Sequence, residues 1–242
     1  MNSPDTRSNL RVVLVSSRNP LNIGAAARAM FNFGFSRLRV VNPYEVAFRE
    51  ARSAVWAREI LESAEEFRSL AEAVADCALV VGTTSLGHRG LAHALRPLGR
   101  GSVMIRKQMR SAPVALLFGS EKFGLTNEDL AHCHWLMRIA TADQSHSMNL
   151  GQAVAVCLYE LSRSKMPGSG SPARARKLAT AGDNEQITQL LLDVLARSGY
   201  TNPVTAASTG NKVRRLVRRL DLNARDAPVL LGMLRQILWK LS

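Results

Sequence analysis

The sequence predicts an α/β protein: a parallel β-sheet with helices on both faces, followed by an all-helical C-terminal extension. Three observations carry that expectation. Five short runs in the first two thirds are almost entirely aliphatic, as strands buried on both faces are. Stretches of helical spacing lie between them, the alternation that builds parallel sheets. The last third lacks such runs and repeats its apolar residues at i, i+3, i+4 and i+7.

In order, the expected strands are "LRVVLVSS" (10–17), "RLRVVN" (37–42), "CALVVGTT" (77–84), "VALLFG" (114–119) and "WLMRIA" (135–140), each bounded by Gly, Pro, Asn, Ser or a charged residue. Helices are expected over 22–33, about 46–75 and 148–163. "SRSKMPGSGSPARARKLATAG" (162–182), rich in Ser, Gly, Pro and Arg, reads as a linker. The chain therefore divides into an α/β domain (1–162), a flexible basic linker (163–183) and a helical extension (184–242). In the extension Ile187, Leu190, Leu191, Val194 and Leu195 make one apolar stripe. Val213, Leu216, Val217 and Leu220 make a second, with Arg214, Arg215, Arg218 and Arg219 opposite; Leu230, Leu234, Ile237, Leu238 and Leu241 make a third.

The chain has 242 residues, 46% of them hydrophobic, enough for a sizeable core and too many for disorder. No run of about 18 apolar residues spans a membrane, and "MNSPDTRSNL" lacks the parts of a secretory signal. Cys77, Cys133 and Cys157, odd in number and scattered among apolar neighbours, read as reduced thiols, pointing to the cytoplasm. Charge is uneven: 18 basic against 14 acidic residues in 1–162, but 14 against 5 in 163–242. A net charge of +13 concentrated in the last third points to a polyanion, nucleic acid above all. Walker, GxGxxG and GxSxG motifs are absent. His132, Cys133 and His134 are metal-capable, yet adjacent residues rarely share one ion and no second ligand pair stands at metal spacing, so no metal is expected.

Three polar stretches lie where strand gives way to helix, where open α/β sheets place ligands. In "NPLNIGAAARAMFNFGF" (19–35), Asn22 is placed to cap a helix whose buried face is Ile23, Ala26, Ala27, Met30 and Phe31. Arg28 lies off that face. It is either a surface arginine or, beside a Gly/Ala-rich turn with exposed N–H groups, part of an anion site. In "LLFGSEKFGLTNEDL" (116–130) a strand ends at Gly119 and Gly124 permits a tight loop. Thr126 and Asn127 cap a short helix with Glu128 and Asp129 in its first turn. This is either an ordinary turn or a loop whose main chain meets a bulky ligand. In "SHSMNLGQAVAV" (145–156) Ser147 and Asn149 are both placed to cap a helix, and capping alone explains only one of them.

In order and spacing these three stretches resemble the signature motifs of the SPOUT RNA 2′-O-ribose methyltransferases of the TrmH class. The resemblance covers residues 10–162, and "GLTNEDL" with the tail "TGNKVRRLVRRL…LLGMLRQIL" is similar to the tRNA-methylating branch that carries a C-terminal helical extension. It implies a C-terminal trefoil knot, S-adenosylmethionine as methyl donor, a homodimer and no metal. The donor would contact Thr83, Thr84, Ser85, Gly119, Ile139, His146, Ser147 and Met148. Arg28 would be the catalytic residue, with Asn22, Glu121, Ser147 and Asn149 supporting it. Because arginine stays protonated, Arg28 would bind a phosphate and stabilise the developing alkoxide rather than act as a base.

The resemblance also points to tRNA as the partner, with position 32 of the anticodon loop as the target. The alternatives are another tRNA or ribosomal RNA nucleotide, or a non-catalytic RNA binder. Lys212, Arg214, Arg215, Arg218 and Arg219, with Arg28, are the candidate RNA contacts. "LGHRGLAHALRPLGRG" (86–101) departs from the family pattern after the third strand.

Overall fold

The computed structural model describes residues 6–43, 57–85, 93–142, 147–163, 177–201 and 206–241. Strand β1 (Leu10–Val15) has five of its six residues buried, as its β-branched run requires. It pairs in parallel with β2 (Leu38–Val41) on one side and β6 (Val114–Phe118) on the other, Leu14 standing opposite Val40 and Phe118. With β3 (Glu65–Phe67), β4 (Leu79–Thr83), β5 (Leu95–Pro97) and β7 (Trp135–Arg138) the order is β3-β2-β1-β6-β4-β7-β5. Every pairing is parallel, as the aliphatic runs predict.

The two edge strands, β3 and β5, carry no aliphatic run. Edge strands are short and charged or end in proline, which blunts them and hides them from pattern reading. Within the expected helix over 46–75, residues 46–56 lie outside the described ones. The remainder is two short helices flanking β3: α2 (Arg58–Glu62) and α3 (Leu70–Ala73). Serines break the helical run. Ser63 Oγ donates back to the Glu59 carbonyl (2.7 Å), and Ser69 caps α3 by accepting the Glu72 N–H. A further helix not anticipated from sequence, α4 (Leu98–Met109), starts after Pro97 and buries Ile105 and Met109.

Helix α1 (Pro20–Phe33) begins earlier than expected. Asn19, not Asn22, is its cap, accepting the Leu21 N–H at 2.9 Å, and Pro20 occupies the first turn, where its missing N–H costs nothing. Its buried face is Ile23, Ala26, Ala27, Ala29 and Met30. Phe31 is 58% exposed, because eight residues past Ile23 it has rotated about 80° off that line. Helix α6 (Leu150–Ser162) packs along α1. Gly151 allows the contact, since a Cβ there would stand 2.5 Å from the Ala25 side chain. One aliphatic layer joins α1, α4 and α6 to the sheet. The layer on the other face contains α3, α5 (Asn127–Ala131) and Ala181 of the extension.

The extension comprises α7 (Ala181–Arg197), α8 (Ala206–Arg219) and α9 (Asp226–Lys240) around Ile187, Val213, Val217, Leu231 and Leu234. Leu216, Leu220, Ile237 and Leu241 are exposed despite their helical spacing, because α8 and α9 each meet α7 along a narrow seam. Most of the expected linker, residues 164–176, lies outside the described residues. Its end is ordered: Thr180 and Asp183 form a capping box, so α7 starts three residues before the expected boundary at 184. The Ala181 and Gly182 N–H groups donate to the carbonyls of Cys77 and Ala75, at 2.7 and 2.9 Å, fastening the extension to the α/β domain. Among the described residues no helix is long and apolar enough to cross a membrane.

Candidate active site

The carboxyl ends of β4, β6 and β7 lie side by side, and the segments that follow them enclose a cleft of about 370 Å³. That size suits a small molecule. After β4 it is bordered by Thr83, Thr84 and Ser85; after β6 by residues 119–125; after β7 by Ile139 and Thr141. Ser147 and Met148 close it where the chain enters α6, and Phe118, Met137, Leu150 and Ala153 supply its apolar surface. Seven of the eight expected donor contacts therefore border one cleft. The eighth, His146, lies outside the described residues.

The loop after β6 is shaped by its glycines. A Cβ on Gly119 would stand 2.1 Å from the Gly124 carbonyl carbon, so only glycine lets the loop fold back onto the strand end. Gly124 itself has φ +66°, a left-handed conformation favoured by glycine. Its N–H donates to the Ser120 carbonyl at 2.8 Å, closing the loop, and Thr126 with Asp129 then caps α5.

A string of polar contacts ties this loop to α1 and α6. Asn149 caps α6 by accepting the Gln152 N–H through Oδ1 (3.3 Å), while its Nδ2 donates to Asn22 Oδ1 (2.8 Å). Asn22 Nδ2 donates to Glu121 Oε1 at 3.2 Å. The Arg18 and Asn19 N–H groups also donate to the Glu121 carboxylate, both at 3.3 Å. Three of the expected catalytic group, Asn22, Glu121 and Asn149, are thus in direct contact, although the three come from different parts of the chain. Ser147 borders the cleft beside them. Arg28 stands exposed on α1, six residues and so about 9 Å along the axis from Asn22, outside the cleft lining. Asn19 both donates to Glu121 and caps α1, the capping role that the sequence reading gives to Asn22.

The arginine-rich helix α8 departs from its expected arrangement. Lys212 and Arg219 are exposed and Arg215 is half-buried. Arg218 is buried, and Arg214 turns inward, its Nε and Nη2 donating to Glu185 of α7 at 2.9 Å each. The four arginines thus split between solvent and the junction with the α/β domain, because α8 packs on α5 as well as α7. Glu185, the one glutamate in the last third of the chain, was the available signal for this pairing.

Burial would raise the Glu185 carboxyl, but the Arg214 hydrogen bonds overcome that and hold it down at about 2. His132, at the end of α5, has Nδ1 3.8 Å from Glu185, and burial with Arg214 nearby pushes its imidazole down to about 4. His134 Nδ1 accepts the Val80 N–H at 3.0 Å. Cys133 packs against the Cα of Gly82, where a Cβ would stand 2.8 Å from Sγ. Each member of the His-Cys-His run is therefore engaged in packing around the sheet.

Residues 9–159 match the SpoU rRNA Methylase family. The chain is similar to the tRNA (cytidine/uridine-2'-O-)-methyltransferase TrmJ of Sodalis glossinidius (strain morsitans), with 34% identity covering 95% of this chain and 91% of the relative. The protein of the same name from Pectobacterium atrosepticum is 33% identical, covering 95% and 96%. Among solved structures, TrmJ from Z. mobilis ZM4 superposes with a TM-score of 0.82 at 30% identity, covering 94% of this chain and 98% of that one.

Proposed function

The chain belongs to the SpoU rRNA methylase family, and from that premise we propose that it transfers a methyl group from S-adenosylmethionine to the 2′-hydroxyl of a tRNA ribose. The observation that carries the reading is the convergence of the Asn22–Glu121–Asn149 string on the rim of a single cleft at the strand ends. The cleft suits the donor: its lining combines the polar residues Thr83, Thr84 and Ser85 with the apolar Phe118, Met137 and Leu150. When bound, S-adenosylmethionine supplies an electrophilic methyl carbon.

The protein's own groups then position and stabilise. Glu121 holds the start of α1 through two backbone N–H groups, and Asn149 holds the start of α6, so both helices are oriented toward the same rim. Fixing two reactants in this way supplies much of the rate gain of a bimolecular transfer. Arg28, permanently protonated, binds the phosphate next to the target ribose, and that phosphate takes the hydroxyl proton. Arg28 stabilises the developing oxyanion as the methyl leaves the donor sulfur, which departs as a neutral thioether. Ser147 orders the ribose at the cleft mouth. Exposed Lys212 and Arg219, with half-buried Arg215, contact tRNA phosphates. A second copy of the chain covers the exposed apolar residues Leu21, Phe31 and Tyr159 of α1 and α6, making a homodimer. The family's trefoil knot belongs to this reading as well.

The test is transfer of labelled methyl from S-adenosylmethionine to unmodified tRNA transcripts, with the modified nucleotide mapped. Incorporation on a 2′-oxygen at position 32 is expected. Arg28→Ala lowers kcat by on the order of 10²–10³, as loss of an oxyanion donor does. Transfer only to ribosomal RNA would keep the chemistry and overturn the substrate. RNA binding with no transfer at all would overturn the reaction.

A further inference from the structure

We propose that Glu185 is a positioning residue for the methyl-donor cleft, and that the C-terminal helices brace the loop forming one of its walls. This rests on the donor reading of the cleft given above. The inference starts from the length of α5. It has five residues, so the cleft loop 119–125 and the junction residue His132 are the two ends of one short rigid piece.

Leu125, which lines the cleft, and Leu130 of α5 lie in the same buried layer as Ala181 at the start of α7. Gly82 precedes Thr83 at the cleft, and a Cβ on it would meet Cys133, Leu136 and Leu125 at 2.8, 2.9 and 3.1 Å. The strand end, the cleft loop and the residues after α5 are therefore packed together without spare room. Any shift of α5 is felt at the wall of the cleft.

The junction where α8 meets both α5 and α7 is polar. Glu185 takes two hydrogen bonds from Arg214, and its Oε2 stands 3.8 Å from His132 and 3.9 Å from Arg218. The Arg218 side chain is 1% exposed, and among the described residues none of its three nitrogens has a hydrogen-bond partner. Its charge is balanced within the junction by Glu185. Without that carboxylate two inward-facing guanidiniums are left uncompensated, a costly arrangement. The way to relieve it is for α8 to lift from α5 and let water in. That uncovers α5 and loosens the loop at its other end. The extension thus acts on donor binding as well as carrying the outward-facing cations.

The experiment compares full-length Glu185→Ala and the milder Arg214→Gln with the unaltered protein, measuring the S-adenosylmethionine Kd by calorimetry and hydrogen exchange over 119–131. The brace predicts a Kd raised about fivefold or more, within the range of coupling through packed networks. It also predicts faster exchange in 119–131, and an effect on the KM for the donor rather than on kcat. General destabilisation would instead lower kcat by reducing the active fraction. A folded variant with donor Kd within about twofold of the unaltered protein would overturn the proposal, as would a loss confined to tRNA affinity. If Glu185→Ala does not fold, Arg214→Gln decides the matter. Failure of the unaltered protein itself to bind S-adenosylmethionine would overturn the donor reading instead.

Discussion

Glu121 and Glu185 grip opposite ends of the same stretch of chain, the loop after β6 and the short helix α5, and they do so in contrasting ways. Glu121 is exposed and accepts from two backbone N–H groups and one amide, all at 3.2–3.3 Å, with no cation in the set. Glu185 is largely buried and accepts two charge-assisted bonds from Arg214 at 2.9 Å. Exposed hydrogen bonds from uncharged donors exchange with water at little cost, whereas a buried ion pair does not. The end at the cleft is therefore adjustable, and the end that meets the extension is locked.

The sharpest way to break the comparison is to remove each carboxylate. Glu185→Ala should lower stability by about 3–5 kcal/mol, the usual cost of stranding a buried charge, read from urea unfolding. If the loss is below about 1 kcal/mol, the junction is no lock. Acid should attack the same end. Burial, with Arg218 nearby, pushes His134 down to about 3, whereas an unfolded histidine titrates near 6.5. Protons therefore bind the unfolded chain first, so stability holds above about pH 6.5 and declines as pH falls toward 3. Glu185, held at about 2, adds to the decline in the same direction below about pH 4.5. His134→Gln should remove roughly 3 kcal/mol of the loss between pH 6.5 and 4, measured as a flatter Tm profile.

Glu121→Ala tests the other end. It should lower methyl transfer by about ten- to a hundredfold through misplacement of α1 and α6, while changing stability by less than about 0.5 kcal/mol. A large drop in Tm would show that Glu121 is structural after all. The smallest effect separates the two kinds of arginine on α8. Arg215→Ala with Arg219→Ala should flatten the salt dependence of RNA binding by about 0.7 log units for each phosphate no longer neutralised. Arg214→Gln should leave that slope nearly unchanged, since its guanidinium is already committed to Glu185.

The sheet was largely legible because its five inner strands are uniform aliphatic runs, a pattern that parallel burial imposes and that little else produces. The edges were not: Glu65–Phe67 and Leu95–Pro97 have neither alternation nor an apolar run, since an edge strand is selected against looking like a strand. Of the site, the members that also end an element were readable, Gly119 and Asn149 among them, because turns and caps restrict residue type. Which asparagine caps α1 was decided by Pro20, whose preset φ starts the helix one residue after Asn19. The arginines of α8 show the limit of helical periodicity. It told that they share one side of the helix, but a helix packed against two neighbours turns some of that side inward, and only Glu185 reveals which.

The asparagine string has a direction. At one end stands a backbone N–H, that of Gln152, which can only give; at the other a carboxylate, Glu121, which receives. Between these fixed ends neither Asn149 nor Asn22 can rotate its amide by half a turn without setting donor against donor or oxygen against oxygen. Each amide has one admissible orientation, settled by its partners. A carboxamide does not surrender its hydrogens, so the string transmits alignment and not protons. The hydrogen that leaves a methylated hydroxyl travels by another road.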